Sequence, residues 1–185
     1  MPNSGGDSGG DDARERFERT VVVLLDDAYT LARHLVRDEH DAQDVVQEAY
    51  LRAWRHYAGF RGGDERAWLL AIVRNCCFTW SRSQRPARLA VAYDDEEHGD
   101  PQEGGSHLAA DAAVLAESDR AELQLALDQL GPEFREAIVL REIEGLSYKE
   151  IGRVVGAPIG TVMSRLARAR SRLQAALGIG AREAS

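Results

Sequence analysis

Apolar residues recur at helical spacing along most of this chain. Phe17, Val21, Leu24, Ala28, Leu31 and Leu35 form one stripe and predict a first helix to about Val36, capped by Asp11 or Asp12. Arg37 to His40 is a polar break. Asp41, with Asp44 three residues on, predicts a second helix whose core face holds Val45, Val46, Ala49, Tyr50, Ala53, Trp54 and Tyr57. Gly59 to Gly63 reads as a loop. Asp64 should cap a third helix to about Ser83, with Trp68, Leu69, Ile72, Val73, Cys76 and Trp80 inside, closed by Arg85-Pro86. The period then stops. It resumes as one helix over Glu117 to Leu130, with Leu123, Leu127 and Leu130 inward. Another runs from Pro132 to Glu144, where Phe134, Ala137, Ile138 and Ile143 can pack.

The segment Leu146 to Leu177 is the most informative. Ser147 and Glu150 have the S-x-x-E spacing of a capping box. Ile151, Val154 and Val155 give a short helix its apolar side. Gly156 suits the end of that helix and Pro158 the first turn of the next. Val162, Leu166, Ala169, Leu173 and Leu177 then face a core. The opposite face carries Gly160, Thr161, Ser164, Arg168 and Arg172. From Ile151 to Ala181 there are five arginines (Arg153, Arg165, Arg168, Arg170 and Arg172) and no acid. A short helix, a glycine turn and a second, arginine-bearing helix describe a helix-turn-helix. A helical hairpin with a solvated basic side is the plainer alternative.

Two other polar faces stand out. The second helix shows Asp44, Gln47, Glu48, Leu51 and Arg55. Leu51 is either an ordinary exposed leucine or the anchor of a docking patch. The third helix shows Arg74, Asn75, Phe78 and Arg82, after a loop with an exposed Phe60 and Arg61. A ring among arginines and an amide suits single-stranded nucleic acid, and packing on another helix is the alternative for Phe78.

Charge and composition narrow the picture. The net charge is −8, unusual for a free DNA binder, but it is uneven. Between Leu89 and Asp119 there is no Lys or Arg, and the run DDEEHGDPQEGG has no period, so a flexible acidic linker is expected there. Its charge imitates nucleic acid; its composition equally suits a plain spacer. The two cysteines, Cys76 and Cys77, are adjacent, and the five histidines do not pair with them at metal-ligand spacing. Two buried thiols are expected, with no metal and no cofactor. No apolar run approaches the roughly 20 residues of a membrane span. The start, MPNSGGDSGGDD, lacks the features of a secretory signal, so a cytoplasmic protein without membrane insertion is expected.

DAQDVVQEAYLRAW (41–54), WLLAIVRN (68–75) and GPEFREAIVLREIEGLSYKEIGRVVGAPIGTVMSRLARARSRL (131–173) resemble, in order and spacing, an extracytoplasmic-function (group 4) sigma factor of bacterial RNA polymerase. The resemblance implies an all-α fold of two small helical domains. A disordered tail (1–11) would precede a region 2 bundle of three to four helices (12–86). A flexible acidic linker (87–116), a region 4 helix-turn-helix domain of four helices (117–178) and a tail (179–185) would follow.

The resemblance also implies partners: the polymerase core through its β′ clamp helices and β flap, promoter DNA, and an anti-sigma factor. Docking on the core would fall to Asp44, Gln47, Glu48, Leu51 and Arg55. Recognition and melting of the −10 element would fall to Phe60, Arg61, Arg74, Asn75, Phe78 and Arg82. The −35 element would meet Arg153, Thr161, Met163, Ser164, Arg165, Arg168 and Arg172. The chain departs from the family pattern at Thr79, where Asp is common, at Ser83 after Arg82, and at Met163, where Lys or Arg is common. The rival readings are a stand-alone duplex-binding regulator, which leaves the second and third helix faces unexplained, and an enzyme. For an enzyme, no base is spaced to activate Cys76 or Cys77, and no glycine-rich phosphate loop occurs.

Overall fold

A computed structural model describes residues 8–91 and 120–178, with side chains over 12–84 and 120–178. Among the described residues the chain is helical, without strands. In order come α1 (Ser8–Thr20), a 3-10 turn (Val22–Leu24), α2 (Leu25–Val36), α3 (Glu39–Tyr57) and α4 (Glu65–Val91). Then follow α5, helical over 120–128, and α6 (Pro132–Ile138) running into a π turn (Val139–Ile143). The last two helices are α7 (Tyr148–Val155) and α8 (Ile159–Ala176).

The first module is α2, α3 and α4 packed on one another, with α1 laid across α3. Leu31, Val36, Leu69, Leu70 and Val73 fill its centre, and Ala28, Ala32, Ala42, Ala49 and Ala53 let the helices approach closely. Phe17 anchors α1 by meeting Tyr50, Trp54 and Tyr57 edge-on, its ring centre 5.1 Å from that of Trp54 and 5.2 Å from that of Tyr57. Trp54, expected in the core, lies on the rim, half exposed beside the Phe17 ring.

The predicted first helix has the right stripe but is not continuous. Thr20 to Val23 are four β-branched residues, poor at holding helix. The half-buried Tyr50 hydroxyl donates to the Val21 carbonyl at 2.9 Å, offering that oxygen a partner outside the helix. Burial, with Asp27 and Asp26 nearby, pushes this hydroxyl up to about 12, so it remains a donor. The α3 cap is Asp38 rather than Asp41. The Asp41 amide donates to Asp38 at 2.9 Å, after Arg37 turns the chain through a left-handed conformation. Asp64 caps α4 as expected, accepting from the Ala67 amide. α4 does not stop at Pro86. A proline forfeits one backbone donor, and Ala87, Leu89 and Ala90 favour helix beyond it. The expected linker therefore begins as helix, and 92–119 lies outside the described residues, as do the tails over 1–7 and 179–185. The expected 1–11 tail is already helical from Ser8.

In the second module Ala126, Leu127 and Leu130 face inward, while Leu123 is exposed. The C-terminal end of α5 is fastened by buried Arg135, which donates to the carbonyls of Leu127, Asp128 and Leu130. The predicted helix from Pro132 to Glu144 breaks its period in the π turn. There the Glu144 amide reaches back five residues to Val139, at 2.9 Å. The shifted register sends Ile143 to solvent and turns Glu144 inward.

The helix-turn-helix forms where predicted. Ser147 and Glu150 make both bonds of the capping box, and Gly156 ends α7 in the left-handed region at φ 66°. Val162, Leu166 and Ala169 are buried against α6 and α7, and Leu173 is partly covered. The two modules pack directly. α7 lies against α4, and α2 meets α6 and the π turn, so both sets of buried residues belong to one contiguous cluster.

Gly152 closes the turn. A Cβ there would lie 2.9 Å from the Ala157 carbonyl oxygen, whereas one on Gly160 would meet nothing within 4 Å. Gly152→Ala should therefore lower the thermal midpoint, by about 1–3 kcal/mol of stability. Gly160→Ala should leave it unchanged or gain up to about 1 kcal/mol. Circular-dichroism melts of the two variants check this, and equal midpoints would contradict it.

Candidate nucleic-acid and docking surfaces

On α3, Asp44, Gln47, Leu51 and Arg55 lie on one exposed face. Glu48 shares it, tied to Arg52 at 2.6 Å. Leu51 is 47% exposed, and Trp54 is 45% exposed one turn on. Trp54 was legible as a neighbour of this face only from its spacing to Leu51. Its aromatic character argued for the core instead.

The α4 candidates divide. Asn75 and Arg82 are exposed, and Arg61 projects from the preceding loop. Phe60, expected outside, leans on Trp68 with ring centres 4.8 Å apart and stacks on Tyr57. It extends an aromatic series begun by Phe17. Phe78 is half-buried beneath the Arg74 guanidinium, 4.6 Å from the ring centre. Arg74 itself is not free: it forms a two-pronged pair with Glu136 of α6, a carboxylate only 1% exposed.

The α8 candidates divide likewise. Met163, Ser164 and Arg168 are exposed, and the Ser164 hydroxyl donates to the Thr161 carbonyl. Thr161 is half-buried. Arg165 turns toward Glu133 at 3.7 Å, and Arg172 lies 4.3 Å over the Phe134 ring. Arg153, on α7, reaches Asp64 at the start of α4. Sequence reading missed Ile159, 48% exposed in the first turn of α8.

These pairings form a polar seam between the modules. Beside Arg74–Glu136 and Arg153–Asp64, Arg66 of α4 bridges Asp27 and Glu144, donating at 2.6 Å to the Glu144 carboxylate and at 2.7 Å to its carbonyl. Arg37 donates to the Asp128 carbonyl. An open cavity of about 370 Å³ flanks the seam, between Arg74 and Phe78 on one side and Phe134 and Arg165 on the other. Nothing in the sequence marked Arg66, Glu136 or Glu144, since acids within the apolar run from Phe134 to Ile143 read as a solvated side.

Burial pushes the Glu136 carboxyl up, against the opposing pull of Arg74. Burial, with negative Asp27 close by, pushes Glu144 up to about 7, again against its arginine. Both cysteines are buried; burial raises Cys76 and pushes Cys77 up to about 12, so neither presents a thiolate. Among the described residues no group of His, Cys, Asp and Glu could hold a metal, and no helix is long and apolar enough to cross a membrane.

Among the described residues the chain is helical, with a helix-turn-helix packed on a basic, aromatic-bearing helix, an arrangement that suits nucleic acid. The particular family is set by comparison. Residues 21–87 match the Sigma-70 region 2 model and residues 120–173 the Sigma-70 region 4 model. The chain is 37% identical to the RNA polymerase sigma-H factor of Pseudomonas aeruginosa, over 92% of this chain and 91% of that one. It is 35% identical to the ECF RNA polymerase sigma factor SigE of Mycolicibacterium smegmatis, over 91% of this chain and 64% of the length of that relative. Two solved structures are similar in fold. One is the sigma factor RpoE in complex with the anti-sigma factor NepR from Bartonella quintana, with a TM-score of 0.69, 28% identity, and coverage of 89% of this chain and 98% of that one. The other is CnrH in complex with the cytosolic domain of CnrY, with a TM-score of 0.61, 28% identity and 90% of each chain covered. The chain belongs to the extracytoplasmic-function group of the sigma-70 family of RNA polymerase sigma factors, which are transcription initiation factors and not enzymes.

The raised carboxyls make the closed packing sensitive to pH. The folded chain keeps a proton on Glu144 that the unfolded chain, with an ordinary value of 4.5, releases between pH 4.5 and about 7. The folded state binds more protons in that window, so this stabilisation is complete below 4.5 and is lost as pH rises through 7. Thermal midpoints should fall from pH 5 to pH 8. Glu144→Gln should flatten part of that slope, Glu136 retaining the rest. A wild-type midpoint that rises over this window would contradict the reading.

Proposed function

We propose that the chain is a dissociable promoter-recognition subunit: α3 docks on core RNA polymerase, α4 with the Gly59–Gly63 loop engages the −10 element, and α8 engages the −35 element. The observation that carries this is the exposed face of α3. Leu51 and Trp54 stand half in water beside Asp44, Gln47 and Arg55, on a helix whose other side is fully packed. An apolar anchor inside a polar rim is the anatomy of a protein interface. A stand-alone duplex regulator has no use for it.

Strand opening needs no covalent chemistry. Unstacking costs a few kcal/mol per base step. Capturing an extruded base and holding phosphates with Arg61, Arg74 and Arg82 offset that cost, with Asn75 offering an amide to a base edge and Phe60 and Phe78 rings to stack on. Arg153 and Arg172 hold phosphates of the −35 duplex, and Thr161, Ser164, Arg165 and Arg168 line its major groove. Two sites on one chain raise each other's effective concentration.

In the closed packing Arg74, Arg153, Arg165 and Arg172 are engaged within the protein. Glu136, Asp64 and Glu133 hold Arg74, Arg153 and Arg165, and the Phe134 ring holds Arg172. Core polymerase parts the modules and releases Arg74 and Arg153, whose partners lie across the join. One solved structure similar to this chain along most of its length is a sigma factor bound to an anti-sigma factor. That supports an anti-sigma protein holding the closed arrangement. The chain acts in the cytoplasm, at the nucleoid, through polymerase.

Run-off transcription with purified core on a promoter library tests the reading. RNA should start at defined sequences, with permanganate-reactive thymines near the start. Leu51→Glu should weaken core association by more than about tenfold while leaving the melting temperature near wild type, as expected for an interface anchor. No RNA at any sequence, or undiminished core binding by Leu51→Glu, would sink it.

A further inference from the structure

We infer that the recognition helix reads thymine through its 5-methyl group, using Ile159 and Met163. The inference rests on α8 being the −35 reader. Ile159 is 48% exposed and Met163 52% exposed, and Ala167 is exposed one turn further along. The three are spaced four residues apart, so they form one apolar row on the first turns of α8. None belongs to the buried cluster, whose α8 members are Val162, Leu166 and Ala169.

The row lies on the nucleic-acid side. Ser164 and Arg168 flank it, both exposed, and no acid occurs from Ile151 to Ala181. Gly160, within the same turn, has open space where a side chain would stand, so a DNA backbone or base edge can come close. The N-terminal residues of a recognition helix are the ones that meet base edges.

Most arginines of α8 are engaged within the protein. Arg165 leans on Glu133, Arg170 on Glu142 and Arg172 on the Phe134 ring, leaving Arg168 as the first exposed arginine of α8 without an ion pair among the described residues. The Ser164 hydroxyl already donates to Thr161. What the first two turns present is a methyl and a thioether. The one apolar feature on the major-groove edge of a base pair is the thymine 5-methyl. A lysine or arginine at Met163 would instead select guanine, through its O6 and N7.

The test uses holoenzyme, core plus full chain, on duplexes whose −35 segment is selected from a randomised pool. Each selected thymine is then replaced by deoxyuridine, which lacks only the methyl. One or two replacements should each weaken binding about fourfold, the worth of one buried methyl. Ile159→Ala with Met163→Ala should bind thymine and deoxyuridine duplexes equally. Met163→Lys, reselected from the same pool, should move one base pair toward guanine. Wild-type indifference to every deoxyuridine, or a selected −35 segment without thymine on either strand, overturns the inference while leaving α8 as the −35 reader. A holoenzyme that initiates but selects no −35 sequence overturns both.

Discussion

A carboxylate with 1% of its surface in water has to find a cation, and Glu136 finds Arg74 across the join between the modules. Burying either charge alone is costly, and an ion pair repays that only with close geometry and further partners. The seam therefore behaves as a unit. Arg66 between Asp27 and Glu144, Arg153 on Asp64 and Arg37 on the Asp128 carbonyl all lie along it. Each joins a helix of the first module to one of the second. The apolar cluster that continues across the same join supplies non-directional attraction. The ion pairs fix the register.

Two of the arginines that make the closed form, Arg74 and Arg153, are candidates for nucleic-acid contact. A cation that must serve a phosphate in one state and a glutamate in another couples the two states directly. Whatever parts α4 from α7 releases these side chains together, because the partners that hold them lie on the opposite module. An all-or-none change of this kind needs no signal passed through the core; the equilibrium between closed and parted forms carries it.

Much of this was legible locally. The helix-turn-helix could be read because each of its signals acts within a few residues: the Ser147–Glu150 box, Gly156 beyond the helix, and the stripe from Val162 to Leu173. The Phe17–Leu35 stripe was equally plain. What failed depended on distant partners. The break after Thr20 is secured by a hydroxyl 29 residues away, on Tyr50. Glu136 and Glu144 looked solvent-facing because their arginines sit on another helix. Phe60 looked exposed because Tyr57 and Trp68 meet only once α3 and α4 have packed. Met163 was visible as a departure from the family pattern. Its companion Ile159 was not, because an isoleucine next to a proline reads as the start of a core stripe.

The π turn carries a genetic consequence. Such a turn is an α-helix with one surplus residue. Losing a single codon within Val139–Ile143 would restore an ordinary helix and leave Glu144 facing inward, because a π turn rotates the chain about as far as an α turn one residue shorter. The bulge can thus be shed in one reading-frame-neutral event while the grip between the halves is kept.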